Sequence, residues 1–224
     1  MHRNADLGST RKTDMVENAM TPNVPIVYIV DDDADIREAL YELLTSAGIR
    51  VKTFASASEY LRTARPDVPA CLILDVGLPD VSGIDLQKQM RTEDHPPIIF
   101  LTGNVDISAS VRAIKAGAVD FLAKPCRKQD LMAAIDAAFA QDLRVRGERT
   151  ERARLQQLHS NLTPREREVL PLVVGGFLNK QAAAHLGISE NTLQIHRSRV
   201  MRKMQADSLA QLIRMAGTLS VPLP

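Results

Sequence analysis

Ile26-Val27-Tyr28-Ile29-Val30-Asp31-Asp32-Asp33 is the stretch that decides how this chain is read. Five apolar residues, four of them β-branched, predict a short strand, and the strand runs straight into three carboxylates. Ile36, Leu40, Leu43, Leu44 and Ala47 then recur at helical spacing, and Gly48 closes the helix they predict. The alternation repeats downstream. Strands are expected over 49–54, 70–74, 98–101 and 119–122, with helices over 57–65, 83–91, 107–116 and 130–141. Five strands alternating with five helices predict βαβ units, a parallel sheet and helices on both of its faces. Cys71-Leu72-Ile73-Leu74 carries no polar alternation, as a strand covered on both faces requires.

Outside this block the chain changes character. Residues 1–24 mix polar and charged side chains without apolar periodicity and are expected to be a disordered leader, with Met15 and Met20 as further possible starts. Residues 142–160 are mostly Arg, Glu and Gln, predicting a helical extension or semi-rigid linker, placed at 144–160 between domains at 25–143 and 161–219. The last segment reads as four short helices. Thr163-Pro164-Arg165-Glu166 is a capping box with Pro in the first turn, and Gly175-Gly176 ends that helix. Asn179, Ser189 and Ser208 are expected to cap the next three, with Leu209, Leu212 and Ile213 facing inward on the last. Ala182 to Thr192 spans two helices joined at Gly187, a helix-turn-helix candidate.

Charge divides the same way. Residues 25–143 hold 12 Lys/Arg against 18 Asp/Glu, whereas residues 144–224 hold 13 against 6, beneath an overall net charge of +1. An acidic first domain and a basic second one predict that only the second meets a polyanion. Two hundred and twenty-four residues with 45% hydrophobic side chains suit two soluble domains with real cores. No run approaches eighteen apolar residues and the start carries no signal-peptide pattern, so a cytoplasmic protein without membrane contact is expected. Cys71 and Cys126 lack metal-ligand spacing.

In an open parallel sheet, chemistry collects beyond the carboxyl ends of the strands. Asp31 and Asp32 follow the first strand, Asp75 the third, Thr102 the fourth and Lys124 the fifth. Three neighbouring carboxylates stay ionised only if a cation compensates them, and an all-oxygen set favours Mg²⁺. One carboxylate could then attack phosphorus, with Lys124 and Thr102 meeting the charge on the transferring group.

Leu74-Asp75-Val76-Gly77-Leu78-Pro79-Asp80-Val81-Ser82-Gly83, Leu101-Thr102-Gly103 and Phe121-Leu122-Ala123-Lys124-Pro125, with Asp31-Asp32, resemble a two-component receiver domain over residues 25–143. The resemblance implies a flavodoxin-like, doubly wound five-stranded parallel sheet followed by a small all-α domain. It implies Asp75 as phosphoacceptor and Mg²⁺ held by Asp32, Asp75 and the Gly77 carbonyl, with Asp31 acting largely through water. Thr102 and Lys124 would serve the transfer, Lys124-Pro125 would be cis, and Phe121 would turn inward with Thr102. Arg37, six residues past Asp31, fits the family's usual offset, while Cys126 stands where many members carry Phe.

Leu162 to Leu170, Asn179-Lys180-Gln181-Ala182-Ala183, Leu186-Gly187-Ile188-Ser189 and Asn191-Thr192-Leu193-Gln194-Ile195-His196 resemble the LuxR-type helix-turn-helix. On a wheel of its third helix Leu193, His196, Val200 and Met204 share the inward face. Gln194, Ile195, Ser198 and Arg202 share the outward one, where Gln can bond adenine and Ile can touch a thymine methyl. Lys180, Thr192, Arg197, Arg199 and Lys203 are placed for phosphates. Together the two halves resemble a NarL/FixJ-type response regulator, which implies no enzyme but a transcription regulator. The implied partners are a sensor histidine kinase, double-stranded promoter DNA, RNA polymerase and a second copy of the chain upon phosphorylation. Val111, Arg112, Lys115, Asp120 and Arg127 mark the surface that would respond. Two other classes use the same residues: a phosphotransferase with an Asp nucleophile, and an interaction module that is never phosphorylated. The first lacks an Asp-x-Asp pair at the nucleophile, and the second leaves the intact acidic set without a purpose.

Overall fold

The computed structural model describes residues 24–90, 95–103 and 107–223; the leader expected at 1–24 therefore falls almost wholly outside them, as does the expected helix end at Arg91. Among the described residues the first strands and helices alternate as β1 (Ile26–Val30), α1 (Ala34–Ser46), β2 (Arg50–Phe54), α2 (Ala57–Arg62), β3 (Ala70–Leu74), α3 (Gly83–Gln89), β4 (Ile98–Thr102), α4 (Ile107–Lys115) and β5 (Asp120–Ala123). The sheet order is β2-β1-β3-β4-β5, parallel throughout, with Val30 opposite Phe54 and Leu74.

The pleat divides the apolar residues between two cores. Tyr28, Val30, Leu72, Leu74 and Phe100 face one side with Tyr60, Ile84, Leu86 and Ala113 from α2, α3 and α4. Val27, Ile29, Cys71, Ile73, Ile99 and Leu101 face the other with Leu40 and Leu44 of α1. The interior strands β1, β3 and β4 are buried along their whole length, while β2 at the edge alternates. Half-buried Cys126 packs with the second core, and burial pushes its thiol pKa up.

Helix α5 (Lys128–Ser160) runs for 33 residues, joining the helix expected over 130–141 to the helical extension expected over 142–160. Leu131, Ala134, Ile135 and Ala138 of its first turns complete the core that holds α1. Its buried Asp142 accepts a 2.9 Å hydrogen bond from the Ala70 amide, the free N–H at the start of β3. The chain divides into two compact units between Arg144 and Val145.

The second unit contains the end of α5, then α6 (Pro164–Val174), α7 (Asn179–Leu186), α8 (Glu190–Lys203) and α9 (Leu209–Thr218). Leu155, Val169, Leu170, Leu172, Ala183, Leu193, Val200, Met204 and Leu212 form its core. Thr163 and Glu166 make the expected capping box, and Ser189 and Ser208 cap α8 and α9. Gly187, at φ +63°, ends α7 in the left-handed region that glycine adopts without strain, which permits the tight turn into α8. Two expectations are corrected. Asn179 is the first residue of α7, not its cap, and the free Leu178 amide donates to Gln181 Oε1 at 3.0 Å. On α9, Leu209 and Ile213 are exposed while Leu212, Met215 and Ala216 are buried, so the buried stripe shares only Leu212 with the expected one and runs on through Met215 and Ala216. No helix among the described residues is long and apolar enough to cross a membrane.

Candidate acidic site and nucleic-acid interface

The carboxyl ends of β1 and β3 bring Asp31, Asp32 and Asp75 together, with one carboxylate oxygen of each within 4.8 Å of the others. Asp31 and Asp75 are buried and Asp32 is exposed, so the cluster opens to solvent on one side. Lys124, just past β5, reaches Asp31 Oδ2 at 2.5 Å and Asp75 Oδ1 at 3.1 Å. Its backbone N–H donates to the Thr102 carbonyl at 2.8 Å, and the Lys124-Pro125 peptide is cis. Thr102 is buried at the end of β4. The Phe121 ring lies tilted against that of Phe100, centroids 5.8 Å apart, and packs on the neighbouring core.

Supporting bonds fix the two buried carboxylates. Asp31 Oδ1 accepts from the Asp33 amide at 3.1 Å, and Arg37 Nη1 donates to the Asp31 carbonyl at 2.7 Å. Asp75 Oδ2 accepts from the Gly77 amide at 2.7 Å. Asp33 stands apart: its carboxylate caps α1 through the Asp35 and Ile36 amides, which separates it from the other two acids of the run. The sequence reading gives Asp33 only as the third carboxylate of the run, although an Asp directly before a helical pattern is itself a cap signal. It also missed Gly83. A Cβ there would lie 2.3 Å from the Asp75 carbonyl oxygen, so the start of α3 can pass beside the Asp75 backbone only as glycine.

Burial raises the Asp31 pKa above the usual carboxylate value despite the hydrogen bond from Lys124. For Lys124, burial alone would lower the pKa, but its bonds to Asp31 and Asp75 outweigh that and raise it. One ammonium thus faces three carboxylates. The remaining imbalance, the all-oxygen donor set and the open side at Asp32 fit a small, hard divalent cation.

In the second unit α8 presents Gln194, Ile195, Ser198, Arg199 and Arg202 to solvent and buries Leu193, Val200 and Met204. His196 is half-buried on the inward side, as its place on the wheel indicated. Lys180 on α7 is exposed. Four residues singled out for DNA contact are engaged within the unit. Thr192 belongs to the α8 cap, its hydroxyl 2.8 Å from Ser189 Oγ. Arg197 donates to Asn179 Oδ1 at 3.0 Å and ties α8 to α7. Lys203 donates to buried Glu166 Oε2 at 2.6 Å and to the Asn161 carbonyl at 3.1 Å, which commits two of its three donors inside the fold. The Ser198 hydroxyl turns back to the Gln194 carbonyl at 2.9 Å.

Residues 27–136 match the response regulator receiver domain, and residues 160–216 match the luxR family of bacterial regulatory proteins. The chain belongs to the response regulators that join these two domains, a family of transcription regulators and not enzymes. It is 49% identical over 197 residues to nodulation protein W of Bradyrhizobium diazoefficiens, covering 88% of this chain and 87% of that protein. It is 42% identical to the response regulator protein TodT of Pseudomonas putida (89% and 88% covered) and 37% identical to FixJ of Azorhizobium caulinodans (85% and 90%). Among solved structures, the response regulator StyR aligns with a TM-score of 0.73 at 44% identity, over 86% of this chain and 98% of that one.

Proposed function

We propose that this chain is the phosphorylation-dependent output of a two-component system, with Asp75 as the residue that takes the phosphoryl group. The observation that carries the reading is the cluster of Asp31, Asp32 and Asp75 on two strand ends, with Lys124 bonded to both buried members. An Asp75 carboxylate oxygen attacks the phosphorus of a kinase phosphohistidine. The new O–P bond forms as the P–N bond breaks, and the electron pair leaves with the imidazole. Lys124 meets the negative charge on the transferring oxygens, and the Thr102 hydroxyl donates to one of them. Asp32, Asp75 and the Gly77 carbonyl, with Asp31 acting through water, would hold Mg²⁺, which would supply further charge neutralisation.

The added charge biases a packed surface. Thr102 and Phe121 move inward, and the face around Val111, Arg112, Lys115, Asp120 and Arg127 becomes the contact for a second copy. The paired chains then place α8 in the major groove at two half-sites about one helical turn apart. Gln194, Ile195, Ser198 and Arg202 meet base edges, while Lys180, Thr192, Arg197, Arg199 and the remaining donor of Lys203 serve phosphates. RNA polymerase at the promoter and a cytoplasmic location complete this reading.

The test is incubation with acetyl phosphate and MgCl₂, then mapping of the modified peptide by mass spectrometry. The reading expects one acid- and base-labile phosphoryl group on Asp75, absent from Asp75→Asn. Modification of another residue, or none, would overturn it.

A further inference from the structure

Residues 75–82 link β3 to α3 and carry both Asp75 and Gly77. At the base of this loop the Gly83 amide donates to the Val76 carbonyl at 3.0 Å, and Leu78 is buried in the core beneath it. At its tip Asp80 Oδ2 accepts twice from Ser58 in the first turn of α2, from the amide at 3.0 Å and from the hydroxyl at 2.9 Å. Slight burial would raise the Asp80 pKa, but the bonds from Ser58 outweigh it and lower it, so the carboxylate that accepts them is ionised at neutral pH.

Helix α2 does not need Asp80 as a cap. Ser56 Oγ already accepts from the Glu59 amide at 3.2 Å, and Glu59 Oε2 accepts from the Ala55 amide at 3.0 Å. Ser58 is exposed, so water would satisfy its amide if Asp80 were absent. The contact therefore serves the loop more than the helix. Because both partners are exposed, its loss should leave the fold intact.

Topology shows what the loop gains. Strand β1 lies between β2 and β3, so a bond joining the segments that follow β2 and β3 spans the end of β1, where Asp31 and Asp32 stand. On one side the Asp31 amide donates to the Phe54 carbonyl at 3.2 Å, and on the other the Asp75 amide donates to the Val30 carbonyl at 2.9 Å. The pair Ser58 and Asp80 closes these links into a ring that includes Asp31, Phe54, Gly77 and Asp75. Pro79, with its fixed φ, and buried Leu78 are all that separate Asp80 from Gly77, so an anchored Asp80 limits where the Gly77 carbonyl can turn. A small cation that demands near-ideal octahedral geometry is sensitive to such a turn.

We propose that Asp80 is a positioning residue for the acidic site: by binding Ser58 it holds residues 76–82 so that the Gly77 carbonyl and Asp75 stay aimed at one divalent cation. This rests on the Mg²⁺-binding part of the reading above and not on phosphoryl transfer.

Calorimetric titration of the full chain with MgCl₂ tests it. Asp80→Ala should bind Mg²⁺ about tenfold more weakly, as the loss of a partner that orients a ligand does elsewhere. Asp80→Asn, which loses the charge but keeps an acceptor oxygen, should stay close to wild type. Ser58→Ala keeps the amide bond and should fall between, and adding it to Asp80→Ala should cost nothing more. In acetyl phosphate labelling, Asp80→Ala should need about tenfold more MgCl₂ for half-maximal rate yet reach the wild-type rate at saturation. Unchanged Mg²⁺ affinity in Asp80→Ala overturns the proposal, and so does an equal loss in Asp80→Asn, which would assign the effect to charge alone. Should Asp80→Ala fail to fold, wild-type affinity in Ser58→Ala overturns it instead. A wild-type chain that binds Mg²⁺ but is labelled away from Asp75 refutes the phosphoacceptor reading only, and the titrations still decide Asp80; a wild-type chain that binds no Mg²⁺ overturns the role of Asp80.

Discussion

Lys124 Nζ lies 2.5 Å from Asp31 Oδ2, joining two residues 93 positions apart at the ends of β5 and β1. A second contact, 3.1 Å to Asp75 Oδ1, makes this ammonium the shared counter-charge of both buried carboxylates. The acidic site is therefore held together by a group that the fold delivers from its last strand.

Removing that charge should cost stability that a metal ion can restore. Lys124→Met leaves two buried carboxylates without their common partner, for a loss of about 3 kcal/mol at pH 7. Because Mg²⁺ binds only the folded site, it should raise the urea midpoint of the variant more than that of the wild type. Urea titrations with and without MgCl₂ check this. Equal midpoints for the two proteins would show that Lys124 does not balance the cluster.

Gly83→Ala tests how closely α3 passes the Asp75 backbone. The added methyl would meet the Asp75 carbonyl oxygen at 2.3 Å, so one of the two must shift. Overpacking of this kind costs about 1–3 kcal/mol. Denaturant unfolding gives the cost, and the rate of acetyl phosphate labelling should fall in the same variant. Wild-type values for both would contradict the close approach.

Glu166 should give the second unit an acid-sensitive step. Burial alone would raise its pKa, but Lys203 and the Thr163 amide outweigh that and bring it to about 2. The folded value lies below the unfolded one of 4.5, so the group's stabilisation is complete above that pH and is lost as pH falls toward about 2. Glu166→Gln should flatten this part of the pH profile of unfolding. A profile unchanged by the substitution would remove Glu166 from it.

The two basic residues Arg199 and Lys203 should behave differently on DNA. Exposed Arg199, if it neutralises one phosphate, contributes about 0.9 to the slope of log affinity against log salt, and Arg199→Ala should lower the slope by that amount. Lys203 is bonded to Glu166 and Asn161, so Lys203→Met should mainly lower the unfolding midpoint. Salt titrations of duplex binding give the slope and urea titrations the midpoint, and an unchanged midpoint in Lys203→Met would contradict its internal role.

The sheet was legible because burial writes itself into sequence. An unbroken apolar run such as Ala70–Leu74 has one reading once helical patterns flank it on both sides. The acidic cluster was legible for a related reason, since strand ends in a parallel sheet converge. What escaped was set by side chains meeting across the fold. Nothing local distinguishes Lys203, bonded to Glu166, from exposed Arg202 beside it. The continuation of α5 through 142–160 was legible in its Arg and Gln content, although residues 143–154 carry no apolar stripe. On α9 the apolar residues Leu209, Leu212, Ile213 and Met215 span two faces, and only packing shows which one is buried.

The central claim is that charge placed on Asp75 changes how α8 engages DNA. Its most direct measurement is the affinity of the full chain for a selected duplex before and after acetyl phosphate treatment, in wild type and in Asp75→Asn. The account predicts a tighter complex after treatment of the wild type and no change in the variant. An equal gain in both proteins, or a gain in neither, would contradict it.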